Sequence, residues 1–60
     1  MSTLTIQYKR IKGGWEDRTI VTVFNPAVLE EMIAELIAEL PQGIAARVKI
    51  ESDGSVSYRW

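Results

Sequence analysis

The side chains in this sequence that could take part in chemistry fall into three small groups. Glu31, Glu35 and Glu39 form an i, i+4 row of carboxylates. Ser52, Ser55 and Ser57 surround an Asp-Gly pair, and Gly13-Gly14 is a glycine doublet. Paired carboxylates perform general acid–base work only when burial or a close partner tunes one of them, and this row falls on a helix face expected to be wet. The serines have no base at hand, because the chain contains no His, and it contains no Cys either. Imidazole bases, thiolate nucleophiles, disulfides and soft metal ligands are thereby removed together. No GxSxG, HExxH or phosphate-cradling glycine loop is present. A single helix face cannot surround Mg²⁺ or Ca²⁺ with enough oxygens. No catalytic residue, cofactor or metal is expected.

The frame for these residues is small. Sixty residues allow one domain, spanning 1–60. Seven basic against eight acidic side chains give a net charge of −1, which favours neither nucleic acid nor membrane. No apolar run approaches the ~20 residues a membrane helix needs. Residues 1–8 alternate polar and apolar side chains without the pattern of a leader, so a cytoplasmic setting is the default expectation.

Leu4, Ile6 and Tyr8 alternate with Thr5, Gln7 and Lys9, the period of a half-buried strand. Gly13-Gly14 offers a two-residue hairpin turn, since both positions can take the positive φ of a primed turn. Pairing outward from it sets Lys12 against Trp15, Arg10 against Asp17, Tyr8 against Thr19, Ile6 against Val21 and Leu4 against Val23. Asn25 can cap a helix that begins at Pro26, with Phe24 stapled onto Leu29. Leu29, Met32, Ile33, Leu36, Ile37 and Leu40 then follow the spacing of one buried face, and Pro41 with Gly43 ends the helix near Leu40. For the last hairpin, a three-residue loop Ser52-Asp53-Gly54 sets Ile50 against Val56 and Val48 against Tyr58. A two-residue Asp53-Gly54 loop would set Ile50 and Val48 against Ser57 and Arg59 instead. Hydrophobic parity favours the longer loop, with Gly54 in the left-handed region.

The expected fold is α+β: ββαββ, a four-stranded sheet of two hairpins with one helix across one face. The expected core is Leu4, Ile6, Tyr8, Val21, Val23, Leu29, Met32, Ile33, Leu36, Ile37, Leu40, Val48, Ile50, Val56 and Tyr58. The order of elements resembles the immunoglobulin-binding domains of the protein G type, in topology alone. No motif is shared, so no functional residue carries over; the resemblance implies only that the first and last strands are central. Thr19 to Phe24 dissents, because it is apolar on both faces, as a central strand would be; either this second strand is central or its second face is covered by something else.

Charge is segregated along the chain. Residues 1–24 carry four basic and two acidic groups, residues 25–40 four acidic and none basic, and residues 41–60 three basic and two acidic. The open sheet face is expected to hold Lys9, Arg18, Arg47, Lys49 and Arg59 against Glu16 and Glu51, while the helix shows Glu30 and the Glu31, Glu35, Glu39 row. That row reads as a solvated face or as a dock for a basic partner. Ala27, Ala34 and Ala38 beside it read as helix formers or as a strip for close helix approach. Ile11, Ile20 and Phe24 are expected as an apolar cluster on the open face. Trp15 should lie against the Lys12 stem as a cation–π contact, with a hot-spot role as its alternative. Tyr8, Tyr58 and Trp60 are expected in the core, which leaves Phe24 as the one aromatic for stacking bases.

The pattern therefore reads as a non-enzymatic protein-binding module of accessory or inhibitor type. Its candidate contacts are Ile11, Ile20, Phe24, Lys9, Arg18, Arg47, Lys49, Arg59, Glu31, Glu35, Glu39 and Trp15, used for a protein partner or for self-association. One alternative is a designed or idealised scaffold with no natural task, since turn, cap, period and parity agree. The other is nucleic-acid or polyanion binding through the basic sheet face.

Overall fold

The computed structural model describes residues 1–60. Strands β1 (Ser2–Lys9) and β2 (Trp15–Val23) are followed by a 3₁₀ turn at Pro26–Val28, helix α1 (Leu29–Ala38), and strands β3 (Ala46–Ser52) and β4 (Ser55–Arg59). The order ββαββ and the four-stranded α+β sheet are as expected. Every neighbouring pair is antiparallel and the spatial order is β2-β1-β3-β4. The central strands are therefore β1 and β3, not the first and last as the protein G-like order implies. The return from α1 brings β3, rather than β4, antiparallel beside β1, and β4 folds back to the far edge. β2 is the opposite edge strand despite its apolar pattern.

Helix α1 packs on β1 and β3. The core is Leu4, Ile6, Val23, Ile33, Leu36, Val48 and Ile50, with Tyr8, Val21, Leu29, Met32, Ile37 and Leu40 packed around it. Leu4 pairs with Ile50 and Ile6 with Val48 across the central ladder, directly beneath the helix. Thirteen of the fifteen expected core residues are there. The exceptions are Val56 and Tyr58, both exposed.

The helix begins as its sequence dictates. Asn25 Oδ1 accepts a 3.0 Å hydrogen bond from the Ala27 amide, and Pro26 fills the first turn, where its missing N–H costs nothing. The α segment ends at Ala38 with Glu39 as its cap, two residues short of the expected Leu40. Phe24 remains 74% exposed, so the expected staple onto Leu29 buries little. No helix is long and apolar enough to cross a membrane.

Both hairpins depart from the expected register. In the first, Lys9 pairs with Trp15 and the loop is Arg10–Gly14, closed by an Arg10 N–H to Gly14 carbonyl bond of 3.2 Å. Gly13 has φ 104° but Gly14 has no positive φ, so the two-residue primed turn is not made. Leu4 pairs with Val21 and Ser2 with Val23, a shift of two residues that preserves which face is buried. A bulge then skips Arg18, between the pairs Ile6–Thr19 and Gln7–Asp17. It sets Glu16 opposite Tyr8, where both Arg10 (3.6 Å) and Arg18 (3.7 Å) reach it.

In the second hairpin Ser52 pairs with Ser55, so the loop is the two-residue Asp53-Gly54. Asp53 at φ 50° and Gly54 at φ 82° are both left-handed, as a type I′ turn demands. Val48 faces Arg59 and Ile50 faces Ser57. Hydrophobic parity fails here because α1 covers β3 but not β4. The helix side of an uncovered edge strand has no reason to be apolar, and the Asp-Gly turn sets the register.

Candidate functional site

Cross-strand partners share a face, so the register alone assigns the sheet surface turned away from α1. Its central row runs Asp17, Gln7, Arg47 across β2, β1 and β3. The next row runs Ile20, Thr5, Lys49, Tyr58, and the one after it Thr22, Thr3, Glu51, Val56. On the other side of the central row, Lys9 stands against Trp15. The two-residue turn places Tyr58 and Val56 on this face. Trp60, which follows Arg59, lines a cleft of about 300 Å³ with Trp15, Ala45, Ala46 and Arg47.

Arg47 is the centre of this surface. Its guanidinium lies 3.9 Å from the ring centroid of Trp15 and 3.9 Å from that of Tyr58. Its Nε donates to Gln7 Oε1 at 2.9 Å, and Gln7 Nε2 donates to Asp17 Oδ1 at 2.8 Å. Gln7 and Thr5 are buried although they face away from the helix, because the long side chains around them close over β1. Each guanidinium–aromatic contact at a partly exposed site is worth about 0.5–1 kcal/mol. Arg47 is thus held on both flat sides and at Nε, which leaves its terminal nitrogens as the unengaged donors. Lys9 Nζ sits 5.7 Å from the Trp15 ring, taking the place expected of Lys12.

The remaining candidates are dispersed. Arg18, skipped by the bulge, lies over the Tyr8 ring at 5.1 Å on the helix side, so it is not beside Lys9. Arg59 also lies on the helix side, opposite Val48, and pairs with Glu30 at 3.5 Å. Glu16 moves to the helix side with Tyr8, and Asp17 joins the open face. The expected excess of three positive charges on that face therefore falls to one: Lys9, Arg47 and Lys49 against Asp17 and Glu51. Lys49 and Glu51 are 3.6 Å apart. Ile11 is fully exposed at the tip of the first loop and Phe24 lies beyond the end of β2, so they form no cluster with Ile20. Glu31, Glu35 and Glu39 are all exposed on α1, and no three acidic side chains converge.

Gln7 lies on the face its alternation implies, and the bulge at Arg18 brings Asp17 beside it. Tyr58 and Trp60 are site residues that hydrophobic parity hid. The Asp53-Gly54 dipeptide carried the signal, because a type I′ turn there moves Tyr58 to the open face. Comparison with protein-family models, curated proteins and solved structures finds no match.

Proposed function

We propose that this chain is a non-enzymatic protein-interaction module whose contact surface is the open sheet face around Arg47. One observation carries this: Arg47 is stacked between Trp15 and Tyr58, with Trp60 across the adjoining cleft. Trp, Tyr and Arg dominate the energetics of protein interfaces. Here they are ordered in advance, which reduces the entropy lost on docking. The core does not use them, since Tyr58 and Trp60 are exposed and Trp15 is half-buried. The fitting partner is a protein segment that sets an apolar side chain into the Trp15–Trp60 cleft and a carboxylate against Arg47 and Lys9.

Selection of displayed peptides that pair acidic with apolar residues, followed by titration on tryptophan fluorescence, tests this. The parent should bind such a peptide, and Arg47→Ala and Trp60→Ala should each weaken it tenfold or more, about 1.4 kcal/mol. Equal affinity for parent and Arg47→Ala, or no selected peptide at all, overturns the proposal.

A second function is favoured by the three aromatics on this face, where one was expected. Single-stranded nucleic acid could stack bases on Trp60 and set phosphates against Lys9, Arg47 and Lys49. The net charge of this face opposes it. Three phosphate contacts give a salt slope no steeper than about −2 for a single strand. Oligonucleotide binding at low salt with such a slope, removed by Lys9→Glu, would favour it over the peptide mode.

A further inference from the structure

We propose that a second copy of this chain adds to the sheet along the outer edge of β2, pairing antiparallel through Thr19–Val23. The observation is a conflict between strand and position. Thr19, Ile20, Val21, Thr22 and Val23 are all β-branched, uncharged and free of proline or glycine, the composition of an interior strand. The sheet order nevertheless leaves β2 with one neighbour, so a row of backbone donors and acceptors faces outward. Such an edge is a template for another strand unless charge, proline or a bulge blunts it.

β2 is blunted along half its length only. Glu16, Asp17 and Arg18 are charged, and the bulge at Arg18 twists that half away. From Thr19 onward there is no charge until Glu30. The other edge differs: β4 is five residues long, contains two serines and ends at Arg59, which is paired with Glu30. The unguarded segment is about one ordinary strand in length.

A second copy fits this edge because the segment is complementary to itself. A two-fold axis at Val21 sets Thr19 against Val23, Ile20 against Thr22 and Val21 against Val21. Every pair is then β-branched against β-branched, side chains that pack well against neighbours on a pleated surface. No like charges oppose, since the paired segment Thr19–Val23 contains no charged residue. The net charge of −1 puts little long-range repulsion between copies. Ile20, 63% exposed in one chain, would lie beside the partner's strand. The product is one eight-stranded sheet in which β2 is interior, as its sequence demands. This surface is separate from the Arg47 cluster, so either proposal can fail alone.

Sedimentation of the parent across a hundredfold concentration range should show monomer converting to dimer. Ile20→Lys with Thr22→Lys replaces two exposed side chains and should melt like the parent at concentrations where the parent is monomeric, while only the parent's melt should rise with concentration. That variant should stay monomeric throughout. Mixing it with the Ile20→Glu, Thr22→Glu variant should restore a dimer, because antiparallel pairing sets Lys against Glu. Amides of Thr19–Val23 that face outward should exchange more slowly in the parent at high concentration than in the Lys variant. A parent that is monomeric across the range, a Lys variant that dimerises like the parent, or Lys and Glu variants that fail to associate each overturn the proposal.

Discussion

Gln7 accepts a 2.9 Å hydrogen bond from Arg47 Nε and is itself only 7% exposed, on the sheet face that the helix leaves uncovered. Its amide nitrogen is spent on Asp17 at 2.8 Å, so one buried side chain ties β2 to β3 across β1. The orientation of Arg47 between two rings depends on this tie as much as on the rings.

Gln7→Met keeps the length of the side chain and removes both hydrogen bonds. The two lost hydrogen bonds should destabilise the fold by about 0.5–1.5 kcal/mol each at most, since exposed Asp17 and half-buried Arg47 can turn to water instead. Urea denaturation measures the loss, and the Arg47 Nε–H resonance should broaden or shift toward solvent values. An unchanged midpoint would show that the network is not held in solution.

Leu36 is buried in the last turn of α1, which packs on β1 and β3. Leu36→Ala should cost ~2–5 kcal/mol. At ~0.05–0.15 kcal/mol per residue the whole domain has only about 3–9 kcal/mol to lose. The variant should be largely unfolded near 37 °C by circular dichroism. A melt within a degree or two of the parent would mean that this is not the buried face.

The type I′ turn makes an asymmetric prediction at two adjacent positions. Asp53→Asn should be close to neutral, because asparagine tolerates the left-handed region as well as aspartate does. Gly54→Val places a β-branched residue at φ 82° and should cost more than ~1 kcal/mol. Thermal denaturation of the two variants, compared directly, checks the turn. A neutral Gly54→Val would refute it.

Helix α1 and its buried stripe were legible because three independent signals agree there: the Asn25 cap, Pro26, and the spacing from Leu29 to Ile37. β1 was legible for the same reason, being covered on one face along its length. The edge strands were not. In β4, turn chemistry and hydrophobic alternation disagree, and alternation carries weight only beneath the helix, which ends over β3. In β2 the bulge at Arg18 depends on long-range pairing with β1, and no local pattern announces it. The candidate site inherits these errors, since Tyr58 and Trp60 belong to β4 and its end, and Trp15 lies beyond the bulge. Lys9, Arg47 and Lys49 were placed correctly because they sit on the two central strands.

The exposed ion pair between Arg59 and Glu30, 3.5 Å apart, joins the edge strand to the helix start. Both groups are half or more exposed, so solvent screening keeps the contribution small. Glu30→Ala should change stability by less than about 0.5 kcal/mol, and the difference should vanish at 1 M salt, where the screening length is ~3 Å. A larger loss that survives salt would indicate that Glu30 supports the fold by packing, not by charge.

Glu39 combines two unfavourable placements. It stands four residues after Glu35, in a row of like charge, and it caps the C-terminus of α1, where the helix dipole is negative. No basic side chain lies in the last turn to offset either effect. Glu39→Lys removes the repulsion, creates an i, i+4 pair with Glu35 in the favourable Glu-before-Lys order, and complements the dipole. The combined gain should be about 0.5–1 kcal/mol at low salt. For a domain of this size that corresponds to a rise in Tm of roughly 2–8 °C. Glu39→Gln should recover about half of the rise, because it removes the repulsion without adding the attraction. Calorimetry at low and high ionic strength separates the contributions. The gain of Glu39→Lys should shrink as salt increases, and a variant that melts at or below the parent's temperature at low salt would contradict this electrostatic account of the helix end.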